Sequence, residues 1–150
     1  MFVRISKYDR SLIKEQKSLD KYYCIDNGIR GAVLLPQSND NGKNLENTVF
    51  MQLNRAKLPS DKISYYQSNG ECDFVLQRND AVVQLIQVTW DMSDENTRER
   101  EIGGILEAST ATGCTNLLII TKDEETVIVR ESKQISVVPA WKWLLQNKSI

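Results

Sequence analysis

The chain has 150 residues, of which 41% are hydrophobic and 26% charged, and it carries a net charge of −1. That is the length and composition of one ordinary globular domain, and it excludes an intrinsically disordered chain. The acidic balance argues against broad, sequence-blind nucleic-acid binding, which draws on surplus Lys and Arg to displace counterions, and the absence of histidine removes Ser-His-Asp, Cys-His and His-ligated zinc chemistry together.

Three cysteines, Cys24, Cys72 and Cys114, lie far apart with no CxxC pair. This usage suits small buried thiols in a reduced compartment. No run reaches the roughly 18 apolar residues of a membrane span, and the opening MFVRISKYDR lacks the apolar stretch of a signal peptide. A cytoplasmic location is expected. Met1 is compatible with either a split protein or a domain boundary.

Taken in order, residues 11–17 predict a short helix with Ser11 as N-cap. Residues 21–25 (KYYCI) predict a strand. Asp26-Asn27-Gly28 is a turn that caps a helix over residues 29–35, and residues 36–42 (PQSNDNG) are a loop. A helix over residues 44–58 has Leu45, Val49, Met51, Leu53 and Ala56 as apolar positions and Pro59 as its stop. Strands over residues 62–67, 71–78 and 81–90 are joined by Ser68-Asn69-Gly70 and Asn79-Asp80, turns that signal antiparallel hairpins. Residues 93–112 predict a helix, with Ser93, Asp94 and Glu95 at its start, Gly103-Gly104 in the middle and Gly113 as its C-terminal stop. A close approach to the sheet is a reason to tolerate the two internal glycines. Strands over residues 115–121, 126–131 and 135–138 follow, and Pro139 opens a last helix carrying Trp141, Trp143, Leu144 and Leu145.

The helix between the third strand and residue 117 demands a parallel, right-handed crossover. The expected fold is α/β, more specifically a mixed α+β sheet in the order α-β-β-β-α-β with helices on both faces. It forms one domain over residues 1–150, residues 1–42 being an N-terminal extension that packs on the core.

Gly42-Lys43, the one Gly-Lys pair in the chain, lacks both the upstream glycine and the following Ser/Thr of a Walker A loop, and no GxGxxG follows a strand. The chain by itself is not expected to hydrolyse ATP. The acids of interest are Glu46, in the first turn of the long helix, and Asp73, entering the apolar run Phe74-Val75-Leu76, where burial is costly without a metal, a cation or a donor. On the next strand Gln87 and Thr89 share a face.

A helix bearing Glu46 in NLENTVF, a hairpin strand with Asp73 in GECDFV and an apolar strand with Gln87-Val88-Thr89 in IQVTW together resemble the ground plan of PD-(D/E)XK nucleases. The chain resembles still more closely a domain of unknown function at the C-terminal end of bacterial and archaeal AAA-type ATPases. That likeness runs through SKYDRSL, the turn at residues 25–28, LENTVFMQL, GECDFV and IQVTWDMSDENTREREI. The resemblance implies a restriction-endonuclease-like core and an AAA-type ATPase module, on the same or a separate chain, as partner. It implies Mg²⁺ or Mn²⁺ held by Glu46, Asp73 and the Val88 carbonyl, with the metal activating water and stabilising charge on a scissile phosphate.

Two positions depart from the pattern. Gln87 stands where an acid is expected and brings no negative charge; Thr89 stands where lysine is expected and is too short to replace an ammonium. Arg98, at the start of the following helix, is a candidate for the missing positive charge; the alternative is a solvated helix start with an Asp94–Arg98 pair. Tyr65, Tyr66, Trp90, Trp141 and Trp143 are read as packing residues or as base-stacking platforms.

The leading reading is an ATPase-associated accessory domain with a degenerate nuclease-like fold that binds a partner or nucleic acid, DNA among the candidates. The alternatives are an active Mg²⁺- or Mn²⁺-dependent nuclease and a dimerisation module built on the apolar C-terminal helix. The sequence leaves the oligomeric state open.

Overall fold

The computed structural model describes residues 2–9, 19–28, 31 and 41–146. The helix expected over residues 11–17 lies outside them, as do most of the helix over 29–35 and most of the loop over 36–42.

Two short strands open the fold. β1 (Phe2–Ile5) pairs antiparallel with β2 (Lys21–Cys24). α1 (Asn41–Ala56) follows, then β3 (Asp61–Gln67), β4 (Glu71–Arg78) and β5 (Ala81–Val88). α2 (Glu95–Thr112), β6 (Leu117–Thr121), β7 (Thr126–Arg130), β8 (Lys133–Pro139) and α3 (Ala140–Gln146) complete it.

The main sheet has six strands in the order β3-β4-β5-β6-β8-β7. β3, β4 and β5 are antiparallel neighbours, β5, β6 and β8 are parallel, and β7 returns antiparallel on β8. The sheet is thus mixed, and the β5-α2-β6 crossover gives the parallel pair expected of it. No helix among the described residues is long and apolar enough to cross a membrane.

Each sheet face carries its own apolar layer. On one side Leu45, Val49, Phe50 and Leu53 of α1 and Trp143 of α3 pack with Phe74, Leu76, Ile86, Ile120 and the β1–β2 residues Ile5 and Tyr23. Rings of Tyr23 and Phe50 stack with centroids 4.3 Å apart, and Phe74 lies 5.5 Å from Tyr23. On the other side Ile102, Ile105, Leu106 and Ala108 of α2 pack with Val75, Leu85, Ile119, Ile135 and Val137. Helices therefore cover both faces. The N-terminal strands add to the first layer, and residues 41 and 42 belong to α1.

Several boundaries differ from the sequence expectation. Asn41, Gly42 and Lys43 already belong to α1, ahead of the expected start at residue 44, so Glu46 lies beyond the first turn. Asp94, not Ser93, caps α2: its carboxylate accepts the Thr97 N–H at 2.7 Å. Gly113 ends α2 in the left-handed conformation at φ 78°, its N–H donating to the Ser109 carbonyl at 2.8 Å. The β4–β5 turn is the two-residue hairpin expected, with Asn79 and Asp80 both at positive φ. Glu131 and Ser132 form a second such turn between β7 and β8. Neither residue type advertises that conformation, which is why the hairpin was not expected.

Candidate functional site

The site forms where β2, α1, β4, β5 and α2 meet. Its placement begins with Asn47, a buried amide on α1. Asn47 Oδ1 accepts the Cys24 N–H at 2.9 Å and its Nδ2 donates to the Cys24 carbonyl at 2.9 Å, so the side chain serves β2 as a strand partner would. This clamp sets β2 against α1 and places Tyr23 and Lys21 beside Glu46. The Tyr23 hydroxyl donates to Glu46 Oε1 at 2.6 Å. Burial, and then the Glu46 carboxylate, push the Tyr23 pKa far above the ordinary phenol range.

Lys21 carries the only ammonium described among these acids. Its Nζ donates to Glu71 Oε1, lies 3.5 Å from Asp73 Oδ1 and 3.8 Å from Glu46 Oε1, and stands 5.1 Å from the centre of the Tyr65 ring. Burial on its own lowers the Lys21 pKa; the carboxylates of Asp73, Glu46 and Glu71 outweigh it and hold the ammonium above its usual value.

Asp73 is 5% exposed. Its Oδ2 accepts the Val88 N–H at 2.9 Å, and its own N–H donates to Gln87 Oε1 at 3.1 Å. The Gln87 amide nitrogen donates to Glu101 Oε2, and Arg100 Nη2 holds Glu101 Oε1 at 2.6 Å. A continuous polar chain thus runs from Lys21 through Asp73 and Gln87 to Glu101 and Arg100. Burial, followed by repulsion from Glu46, pushes the Asp73 pKa up to about 8.

That shift has a signed consequence. An exposed aspartic acid titrates near 4, so between about pH 4 and about pH 8 the folded protein holds a proton that the unfolded chain has released. The resulting stabilisation is complete below about pH 4, falls as pH rises and is gone above about pH 8. Asparagine does not titrate. The melting temperature of Asp73→Asn, measured by circular dichroism, should therefore gain on wild type steadily from pH 5 to pH 8; a constant gap would mean that Asp73 is ionised throughout.

Glu46, Asp73, Gln87 and Val88 line one cleft of about 420 Å³, together with Glu71, Arg100, Glu101 and the β3–β4 turn. Two expected residues lie elsewhere. Arg98 Nη1 pairs with Glu124 at 3.0 Å and turns away from the cleft. It also makes no ion pair with Asp94, whose carboxylate is spent on the helix cap. Thr89 is buried beyond the end of β5, its hydroxyl directed at the Asp91 carbonyl at 3.4 Å, and it does not line the cleft.

Lys21, Tyr23, Glu71 and Glu101 were not singled out from the sequence. Glu71 had a signal, since residues two apart on a strand share a face and Asp73 was already a candidate. Lys21 had none, because it arrives on a separate small sheet.

The donor set does not fit a divalent cation as arranged. The Lys21 ammonium stands where the carboxylates of Glu46, Glu71 and Asp73 converge. The Gln87 oxygen is turned to the Asp73 N–H, and one Asp73 oxygen is held by the Val88 N–H. Among the described residues no group of three or more His, Cys, Asp or Glu is disposed to hold a metal ion.

No family model matches the chain, and no solved structure matches it. It is similar to an uncharacterized protein of Methanocaldococcus jannaschii, 33% identical over 136 residues, which cover 85% of this chain and 30% of that protein. The chain therefore spans less than a third of that relative's length.

Proposed function

We propose that the chain is a degenerate PD-(D/E)XK nuclease-like domain that serves as an accessory module of an AAA-type ATPase, binding a partner and not cleaving nucleic acid. The order α-β-β-β-α-β and the gathering of Glu46, Asp73 and Gln87 in one cleft support the restriction-endonuclease-like core. The ATPase association rests on the resemblance of the motifs; the far greater length of the archaeal relative is consistent with a module built into a larger protein.

The observation that carries the reading is the Lys21 ammonium at the focus of the acids. A built-in cation offsets part of the acidic charge without an ion from solution. One ammonium facing the Glu46 and Glu71 carboxylates and a protonated Asp73 still leaves the group acidic at neutral pH, and across the cleft Glu101 is offset by Arg100. Such a surface repels phosphate and suits a partner with basic side chains better than a nucleic-acid backbone.

The test is incubation of the protein with Mg²⁺ or Mn²⁺ and a panel of single- and double-stranded DNA and RNA, with Mn²⁺ titrated in a calorimeter. No cleavage and no measurable Mn²⁺ binding are expected. Cleavage abolished by Asp73→Ala would establish the nuclease in its place. A Walker A motif in the adjoining reading frame would support the ATPase connection directly.

A further inference from the structure

The main sheet has two edges, and they are treated differently. The outer side of β3 is met by the chain itself: the Tyr8 N–H donates to the Tyr65 carbonyl at 2.6 Å, and the Tyr65 N–H to the Ser6 carbonyl at 3.2 Å. The outer side of β7 pairs with nothing among the described residues. Proteins usually blunt such an edge with proline, lysine or a bulge. β7, with the sequence TVIVR, contains no proline and no lysine, and it pairs with β8 without a register shift.

The strand also presents apolar side chains to solvent. Ile128 packs into the layer beneath α2, so its neighbours Val127 and Val129 point to the opposite face. They are 55% and 70% exposed. α3 lies on that face, tied to the start of β7 by the Lys142–Glu125 ion pair. Its Trp141 and Leu145, one turn apart, are also exposed.

We infer that β7 is the interface for a second copy of this chain, which adds its own β7 antiparallel and continues the sheet across a two-fold axis through Ile128. The strand is complementary to itself in that arrangement. Val127 falls opposite Val129 of the second copy, and Val129 opposite its Val127, forming apolar cross-strand pairs on one face. Charge agrees as well. The approach to β7 carries Lys122 and three acids (Asp123, Glu124, Glu125), and its exit Arg130, Glu131 and Lys133; Glu124 and Arg130 are each ion-paired with α2, to Arg98 and Glu99. Antiparallel pairing brings the net-acidic end of each copy to the net-basic end of the other, with Glu124 diagonal to Arg130 so that the intrachain Arg98–Glu124 and Glu99–Arg130 pairs join in one network; parallel pairing would stack like on like. Two-fold symmetry is the ordinary solution for such a self-matching surface.

Sedimentation velocity of the full chain over a hundredfold concentration range tests the inference, with amide exchange over residues 126–130 read alongside. Wild type should shift from monomer to dimer as concentration rises, and the β7 amides should slow with it. Val127→Lys combined with Val129→Lys places like charges opposite one another and should weaken association at least tenfold. Both positions are exposed, so the variant keeps its fold, and an unchanged far-ultraviolet spectrum checks this. A monomer at every concentration overturns the inference and leaves this edge to a different chain. So does a dimer whose β7 amides gain no protection, or one that the double substitution leaves intact.

Discussion

At pH 9, above the Asp73 pKa of about 8, replacing Lys21 with methionine should lower the unfolding free energy by about 3 kcal/mol, the scale of breaking a buried ion pair from one side. Methionine preserves much of the stem's packing, so the loss is mainly electrostatic. Three carboxylates, Glu46, Glu71 and Asp73, share this ammonium, and the deeply buried Asp73 suffers most from its removal. Adding Asp73→Asn to the variant should recover about half of the loss, because the asparagine oxygen can still accept the Val88 N–H without a charge. Urea denaturation of the single and double variants gives the coupling directly. A Lys21→Met protein as stable as wild type would show that the acids do not rely on Lys21, and the case for a site closed by its own cation would go with it.

Gly104→Ala should be nearly as damaging, costing about 3 kcal/mol through overpacking. A Cβ on Gly104 would stand 2.2 Å from the Glu71 carbonyl oxygen, a backbone atom that cannot swing aside. Gly70 faces the same contact from the other side, its own Cβ position lying 2.9 Å from the Gly104 Cα. The helix and the strand carrying Glu71 and Asp73 touch through these two glycines, so forcing them apart would also disturb the acid cluster. Gly103→Ala is the matched control. Nothing lies within 4 Å of its Cβ position, and exchanging glycine for alanine inside a helix should add roughly 0.5–1 kcal/mol of stability. Thermal melts of the two variants should move in opposite directions.

The two glycines also show how far the sequence could be read. A Gly-Gly pair inside a helix announces a close approach but not which residue makes it, since that depends on how α2 is rotated against the sheet. The mixed sheet was legible because its signals are local: the Asn79-Asp80 turn, the apolar run of β5 and the stop at Gly113 each specify their own connection. The β7–β8 hairpin was not, because Glu131 and Ser132 take positive φ without a residue type that favours it.

In the site, the meeting of Glu46, Asp73 and Gln87 was an expectation carried by the resemblance to the nuclease ground plan and not by their spacing alone; the three line one cleft. The Lys21 cation was not expected. Lys21 and Glu71 are separated by 50 positions, and their meeting depends on the Asn47 clamp that seats β2. Arg98 was the candidate nearest in sequence to the motif strand, but the direction of α2 carries it to Glu124 instead. Proximity in sequence pointed to the wrong cation, and a contact between two separate sheets supplied another.

The three cysteines give this architecture built-in reporters. Cys24, Cys72 and Cys114 are all free and buried, one in the small N-terminal sheet, one in β4 and one just past the end of α2. Burial drives the Cys72 thiol far above its ordinary pKa, which keeps it unreactive until its surroundings open. Alkylation at each sulfur therefore requires a different part of the molecule to come apart. Mass spectrometry of the labelled protein can time the loosening of the small sheet separately from the opening of the central one, without introducing any foreign group beforehand.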